Sequence, residues 1–515
     1  MKRSMNSKEK DRGAFLDELL PFLQNKGFIW GPFPEIYGGL SGFYSYGPLG
    51  KLLKNKVEQA VRRVFQKHGF WELECPIVLP NIVWEASGHL NTFVDRVVAC
   101  GTCTAVFRAE KLIEETHDVA ADGFSDQQLL NFLQEENIRC PSCGGEFTYD
   151  IKRENLMMKT SVGGIAASLR PETATVTYLP FRRYYEFFRK KLPIGVFQIG
   201  KAFRNEVSPR QHVIRSREFT QAEGQLFIDP LEKNEWEKYE AITKDKLPLW
   251  TSKDQHAEKK HCLVSVEEAV KRKHFQSRAY AWCVWLAYHQ FIAMGIPVER
   301  IRIRQHHPDE RAFYADDAWD IEVMLRSFGW TEMCGVHDRT DYDLQQHEKF
   351  SKQNLQAVRE DGSKVHPHVL EIAFGTDRPV FALLDLFYSK VEKDKGKTVF
   401  HIPYSLAPVD IAIYPLLKKD GLPEIGKKIK EELEQFFIVD YDEAGSIGRR
   451  YLRAAESGTP YCITIDYDSL THHDVTIRDR DSEKQIRVSI EKLHHILHGL
   501  FHGELSFGKA GKPLQ

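Results

Sequence analysis

The chain is 515 residues long, with 71 Lys and Arg against 73 Asp and Glu for a formal net charge of -2, and 42% of its residues are hydrophobic. That length exceeds what one hydrophobic core supports, so about two to four domains are expected, and the composition excludes disordered, collagen-like and peptide-like chains. The near-neutral balance also argues against coating nucleic acid through bulk charge, while leaving room for local basic grooves.

The first dozen residues (MKRSMNSKEKDR) are charged and lack the apolar stretch and cleavage site of a secretory signal, so the chain is expected in the cytoplasm. From Ile29 to Gly50 glycine and aromatic residues dominate, which reads as turns and short strands. Apolar Leu52, Leu53, Val57, Val61, Val64 and Phe65 then recur close to helical spacing and predict a helix from about Lys51 to His68, stopped by Gly69. A strand leads into Pro76. The segment from Val97 to Asp150 looks inserted, and it carries Cys100-Gly-Thr-Cys103 and Cys140-Pro-Ser-Cys143. Two CxxC knuckles in a reducing compartment suit a tetrahedral, structural zinc on four thiolates; the alternative is a ribbon that folds without metal. The other five of the nine cysteines are scattered singly.

Strand-like runs at Val196 to Phe203 and Phe219 to Ile228 flank a polar, basic loop, and an extended helical region is expected from Pro230 to Met294. Within it the uncharged run Ala279 to Ile296 approaches membrane-spanning length but is interrupted by Tyr288, His289 and Gln290, so a buried helix is the reading. Further short strands are predicted at Arg300 to Gln305, Trp319 to Leu325 and His368 to Ala373. From His401 onward strands alternate with helices, which predicts a compact α/β unit with a mostly parallel sheet. The expected division is therefore 1–96, a CxxC insertion at 97–155, a core at 156–400 with a helical insertion at about 230–294, and a terminal unit at 401–515.

Two clusters carry chemistry. Phe203-Arg204-Asn205-Glu206, a loop containing Arg210 and Arg215, and Arg217-Glu218-Phe219 form a strand, loop, strand hairpin that sets Arg204 and Glu206 on one face with Phe219 within reach. An arginine in a cleft binds phosphate and an aromatic ring stacks on a purine, although an exposed charged hairpin has the same pattern. The second cluster is Glu371-Ile372-Ala373-Phe374-Gly375-Thr376-Asp377-Arg378, where glycine lets a helix start tight against a strand and Arg378 can cover the other face of a stacked base.

These clusters, in order after Gly69-Phe70 leading to Pro76, match the three signature motifs of class II aminoacyl-tRNA synthetases. The strings EIYGGLSGFYSYGPLG, WEASGHL, FRAEKLIEE, LRPETA, RNEVSPR, REFTQAE, DRTDYDLQQH and IRDRD make the chain resemble the dimeric glycyl-tRNA synthetase family, from about Gly27 to His498. The resemblance implies an α+β core, an antiparallel sheet flanked by helices, with a zinc-ribbon-like insertion and a C-terminal anticodon-binding domain. It implies catalysis by Arg204, Glu206 and Arg378. ATP and its magnesium are expected to lie on Arg204, Asn205, Glu206, Ile214, Arg215, Arg217, Phe219, Glu332, Met333, Gly375 and Arg378. For glycine the implied set is Arg108, Glu172, Phe219, Gln221, Glu223, Glu371 and Ala373, with carboxylates gripping the ammonium and Arg108 on the carboxylate. The implied partners are glycine, tRNA(Gly) and a second copy of the chain at the Pro76 region, with no membrane. Anticodon contacts are expected from Arg449, Arg450, Arg453, Arg478 and Arg480, with splayed bases stacked beside them.

The sequence departs from the family twice near the amino-acid end: Glu371-Ile372-Ala373 stands for the usual Glu-Pro-Ser, and Thr175 for the usual glutamine. Two other readings remain at this point. One is activation of another small amino acid such as alanine or serine, and the other is a nucleic-acid-binding paralogue without catalysis.

Overall fold

The computed structural model describes residues 7–390 and 397–514, apart from 118, 120, 122, 208, 210, 211, 309 and 312–314. Helix α1 (Ser7–Asn25) is followed by α2 (Pro48–Lys67), whose first turn begins with a proline, where no intrahelical donor is lost. Leu53, Val57, Val61 and Phe65 bury one stripe of α2, as their spacing predicted, and Gly69 leaves the helix at φ +87°. Strand β1 (Trp71–Leu73) then begins the main sheet.

The cysteine-bearing module is built on β2 (Val94–Ala99), β3 (Val106–Arg108) and β4 (Lys152–Asn155), paired in the order β3-β2-β4. Its helices α3 (Ala109–His117) and α4 (Asp126–Glu135) pack over them, the second held at its start by a capping box between Ser125 and Gln128. The module has its own core, including Val98, Leu112, Leu129 and Leu133.

Among the described residues, the main sheet has nine strands. Besides β1 they are β5 (Ile194–Phe203), β6 (Glu218–Ile228), β7 (Lys246–Trp250), β8 (Cys262–Ser265), β9 (Ile301–Gln305), β10 (Asp317–Leu325), β11 (Gly329–Asp338) and β12 (His368–Gly375). The order is β8-β7-β9-β10-β11-β12-β6-β5-β1, antiparallel except where β1 meets β5 and β7 meets β9. Helix α5 (Arg278–Ala293) lies behind it against α2 and β12, with Tyr280, Trp282 and Phe291 buried. Helix α6 (Asp377–Phe387) leaves the end of β12.

The stretch 230–294 is not the continuous helical insertion expected. Only α5 is a long helix there, and β7 and β8 extend the sheet edge. Strand β7 reads Lys-Leu-Pro-Leu-Trp, and a proline, which cannot donate to the ladder, disguises a strand that lies between β8 and β9. Strand β11 was also unforeseen, because Gly335 and the polar residues around it break the apolar alternation. No helix of the described residues is long and apolar enough to cross a membrane.

The C-terminal unit comprises β13 (Ile411–Pro415), α7 (Leu422–Leu433), β14 (Val439–Tyr441), α8 (Ile447–Ser457), β15 (Tyr461–Ile465), β16 (Asp474–Asp479), β17 (Gln485–Ser489), α9 (Leu493–Phe501) and β18 (Lys512–Pro513). Its sheet runs β14-β13-β15-β16-β17-β18. The first three strands are parallel and the rest antiparallel, so the expected mostly parallel sheet is corrected to a mixed one. Antiparallel neighbours need no long crossover, and β16 and β17 are joined by a short turn at 480–484. Ion pairs of Lys26 with Glu456 and Lys56 with Asp410 tie this unit to α1, α2 and their surroundings.

Candidate active site

Side chains alternate faces along a strand, and the register of the three central strands turns that rule into a site. Phe219, Gln221 and Glu223 of β6, Glu371, Ala373 and Gly375 of β12, and Met333, Gly335 and His337 of β11 all line one cavity of about 790 Å³. The intervening Ala222, Ile372, Cys334 and Val336 face the other way, into the core under α2 and α5. Gly224 is required on that hidden face, since a Cβ there would run into the Phe65 ring of α2. Across the sheet Glu223 pairs with Ala373, Ala373 with Gly335, and Gly335 with Asp320.

At one end of the cavity Arg204 leaves β5 with its guanidinium 5.4 Å from the Phe219 ring centre and an equal 5.4 Å from that of Phe93. Its Nε donates to the Pro171 carbonyl at 3.0 Å, which fixes the fork toward the cavity. Arg215 pairs with Glu206 at 2.6 Å. Arg378 donates to the Glu332 carbonyl at 2.7 Å, to its carboxylate at 3.2 Å and to the Ile214 carbonyl at 3.2 Å, so it joins the hairpin loop to β11. Asp377 underpins this arrangement. It accepts from Tyr46 at 2.7 Å and from the Thr220 amide at 2.6 Å, and it forms a buried ion pair with Lys54.

Asn205 and Arg217 do not line the cavity. The Asn205 amide donates to Leu156, and Arg217 donates to the Ser41 and Glu206 carbonyls, so both brace the loop from outside. Arg210 lies outside the described residues.

At the other end three carboxylates converge, those of Glu223 and Glu371 buried and that of Glu172 partly so. Glu172 accepts from the Thr175 hydroxyl at 2.6 Å, and its second oxygen lies 3.4 Å from His89 Nε2. Burial would raise this carboxyl, but His89, Arg339 and the Thr175 hydrogen bond outweigh it and hold it well below the usual range. Glu223 accepts from Thr173 at 2.7 Å and from Gln221 at 2.5 Å. Burial, and after it the charges of Glu371 and Glu172, push the Glu223 carboxyl well above its ordinary value. Glu371 is brought down to about 2, because Arg339 and His337 overcome its burial. Both its oxygens are occupied, one by His337 at 3.2 Å and Arg339 at 3.3 Å, the other by Tyr178 at 3.1 Å and Gln225 at 3.2 Å. Arg108 reaches the cavity from β3 of the cysteine module, 3.2 Å from Asp95.

In that module the sulfurs of Cys100, Cys103, Cys140 and Cys143 all lie within 4.8 Å of one another. The Thr102 amide donates to Cys100 Sγ at 3.4 Å and the Gly145 amide to Cys143 Sγ at 3.4 Å, an arrangement that favours thiolates over thiols. Four convergent sulfurs with amide donors behind them fit a closed tetrahedral zinc.

A family model described as "tRNA synthetase class II core domain (G, H, P, S and T)" matches residues 166–387, and one described as "Anticodon binding domain" matches 410–500. The glycine–tRNA ligase of Thermococcus gammatolerans is 38% identical over 96% of this chain and 99% of its own. That of Methanococcus maripaludis strain C5 is 36% identical over 93% and 98%. The chain belongs to the glycine–tRNA ligase family. The fold of a Giardia lamblia prolyl-tRNA synthetase, solved in complex with prolyl-adenylate, matches with a TM-score of 0.57 at 15% identity, covering 94% of this chain and 76% of that one. The alignment with the Thermococcus ligase runs to 574 positions, so that family member carries stretches this 515-residue chain does not.

Within this glycine–tRNA ligase fold the cavity also holds residues that sequence reasoning did not reach: His306, Asp320, His337 and Arg339. His306 Nε2 lies 2.7 Å from Asp320 Oδ2. Arg339 sits inside the string DRTDYDLQQH, but nothing in the string tells that its guanidinium spans Asp343 and Glu371. In the C-terminal unit a second cavity of about 490 Å³ is lined by Lys397, Tyr451, Arg478 and Arg480 among others. Arg450, by contrast, is buried against the Pro415 and Leu416 carbonyls.

Proposed function

We propose that the chain activates glycine with ATP and then transfers it to the 3′ end of tRNA(Gly). In the first step a glycine carboxylate oxygen attacks the α-phosphorus of ATP in line, and the bond to pyrophosphate breaks. Charge grows on the transferring phosphoryl group, and Arg204 is the fixed cation beside it. Phe219 and Arg378 hold the adenine between them, with Glu206, steadied by Arg215, at its amino edge. In the second step a ribose hydroxyl of the terminal adenosine attacks the glycyl carbonyl and AMP leaves. No protein nucleophile is needed, because position and electrostatics carry both displacements.

Magnesium accompanies ATP as a neutralising cation for its phosphates. Glu332 is suited to meet it, since its side chain is 58% exposed and, among the described residues, only one of its oxygens is engaged, by Arg378. The observation that carries the amino-acid assignment is the triangle of Glu172, Glu223 and Glu371 around a floor of Ala373 and Gly335. A negative wall binds an ammonium, and a crowded polar one offers nothing to an apolar side chain. Pyrophosphate exchange over glycine, alanine and serine tests this reading: a glycine-selective signal is expected, and an equal response to alanine or serine overturns it. A descendant that only bound nucleic acid would have no use for Arg204, Glu206, Phe219 and Arg378 together.

The same physical logic extends beyond the cavity. Trp71, Ile77, Val78 and Ile82 are apolar yet exposed around Pro76, which supports a homodimer through that face. The cavity lined by Tyr451, Arg478 and Arg480 suits a splayed anticodon base, with stacking and cationic donors side by side. The four cysteines hold a structural zinc, and the reaction is placed in the cytoplasm.

A further inference from the structure

Neighbouring strands lie about 4.8 Å apart, so the row Glu223, Ala373, Gly335, Asp320 crosses the sheet with its two smallest residues side by side between two carboxylates. Left alone, that floor is a trough two positions wide. It would accept alanine or serine as readily as glycine, whatever the charge of its walls. The second position is not open. A Cβ placed on Gly335 would stand 2.6 Å from Cε1 of His337, 3.3 Å from its Nε2 and 3.4 Å from its Nδ1, so the Cε1 edge of the imidazole occupies the space over Gly335.

The ring is fixed there. An ionised carboxylate can only accept, so His337 Nδ1 carries the proton it donates to Glu371 at 3.2 Å. Glu371 is in turn gripped by Arg339, Tyr178 and Gln225. The ring of His306 lies roughly perpendicular to that of His337, centre to centre 6.1 Å at 85°. The Nε2 of His337 has no hydrogen-bond partner among the described residues.

Resting on the proposed glycine activation, we infer that His337 is a specificity-determining residue: its imidazole fills the trough over Gly335, leaves room only beside Ala373, and contacts the amino-acid substrate. This position compensates for Ala373, where the sequence lacks the usual serine. The residue acts by touching substrate, and Glu371 acts through it as a positioning group.

Pyrophosphate exchange with purified full-length protein tests the inference in wild type, H337A, H337N and H337A/A373S, with thermal melting to check folding. Asparagine can keep the donor to Glu371 while removing the ring. Both H337A and H337N are expected to raise the glycine KM and to lower the preference for glycine over alanine by about tenfold or more, the scale of one methyl group's exclusion. The double variant should recover part of that preference. An unchanged preference in H337A with an unchanged melt overturns the inference, as does a loss in H337A that H337N fully restores, which would assign the effect to Glu371 alone. If H337A melts early, H337N decides by the same criterion. Failure of wild type to activate glycine would sink the proposed function instead, so the two failures are distinct.

Discussion

Arg204 has its Nε committed to a backbone carbonyl and its guanidinium set beside Phe219, so in the proposed reaction it would meet ATP with little reorganisation. Replacing it with alanine should lower the rate of pyrophosphate exchange by about 10² to 10³ while the melting temperature stays within the wild-type range. Glu223 gives a different signature. Its carboxyl is raised in the free site by burial and by Glu371 and Glu172, so an arriving ammonium lowers it and the proton leaves. Glycine binding should therefore release protons, and affinity should rise with pH up to the free-site value. Calorimetry in two buffers of different ionisation enthalpy reads this directly, and buffer-independent heats would refute it. At this scale the meeting of Arg204, Glu172 and Glu223 in one cavity was legible, because short motifs carry them. His337 and Arg339 were not, since their roles depend on which strands pair and in what register.

Among the elements, the start of α6 is the most constrained. Asp377 and Lys54 are both buried, and the pair ties α6 to α2 and to β6 directly behind Phe219. Asp377→Ala strands a buried ammonium and should cost about 3 to 5 kcal/mol in urea unfolding, far more than a surface pair. The cysteine module makes its own prediction. Cys143→Ser should reduce bound zinc below half an equivalent and raise the glycine KM, because Arg108 hangs from β3 next to the metal cradle. Zinc content and KM are measured on the same preparation, and an unchanged KM in zinc-depleted protein would separate the module from the substrate. Helix α2 was readable from its helical apolar spacing, α5 as a long uncharged run and the hairpin β5–β6 as two strand-like runs around a polar loop. Strands β7 and β11 were hidden by Pro248 and Gly335, which interrupt the residue pattern expected of a strand.

For the whole molecule, two cores matter. Phe400, Ile402 and Leu406 belong to the catalytic core, while Ile411, Ile413 and Ile463 belong to the C-terminal one. The break in composition at His401 lies near this change, but a cut there would strip Ile402 and Leu406 from the first core. Arg478→Ala, in the cavity beside Tyr451, should raise the KM for tRNA by about tenfold and leave tRNA-independent pyrophosphate exchange unchanged. Equal loss in both assays would contradict the division of labour. Domain order could be read from the chain because each unit has its own residue pattern. The mixed sheet was not legible, because the strand and helix alternation before it masked the antiparallel partners, of which β17 buries alternate residues while β13 and β15 are buried throughout.

Arg108 belongs to the small module by its backbone and to the substrate cavity by its position. Linkage makes such sharing reciprocal: whatever factor the metal adds to glycine affinity, glycine must add to metal affinity. An enzyme saturated with its amino acid would then surrender zinc to a chelator more slowly than one left empty. In a cell short of zinc, the supply of glycine would decide how long the metal stays.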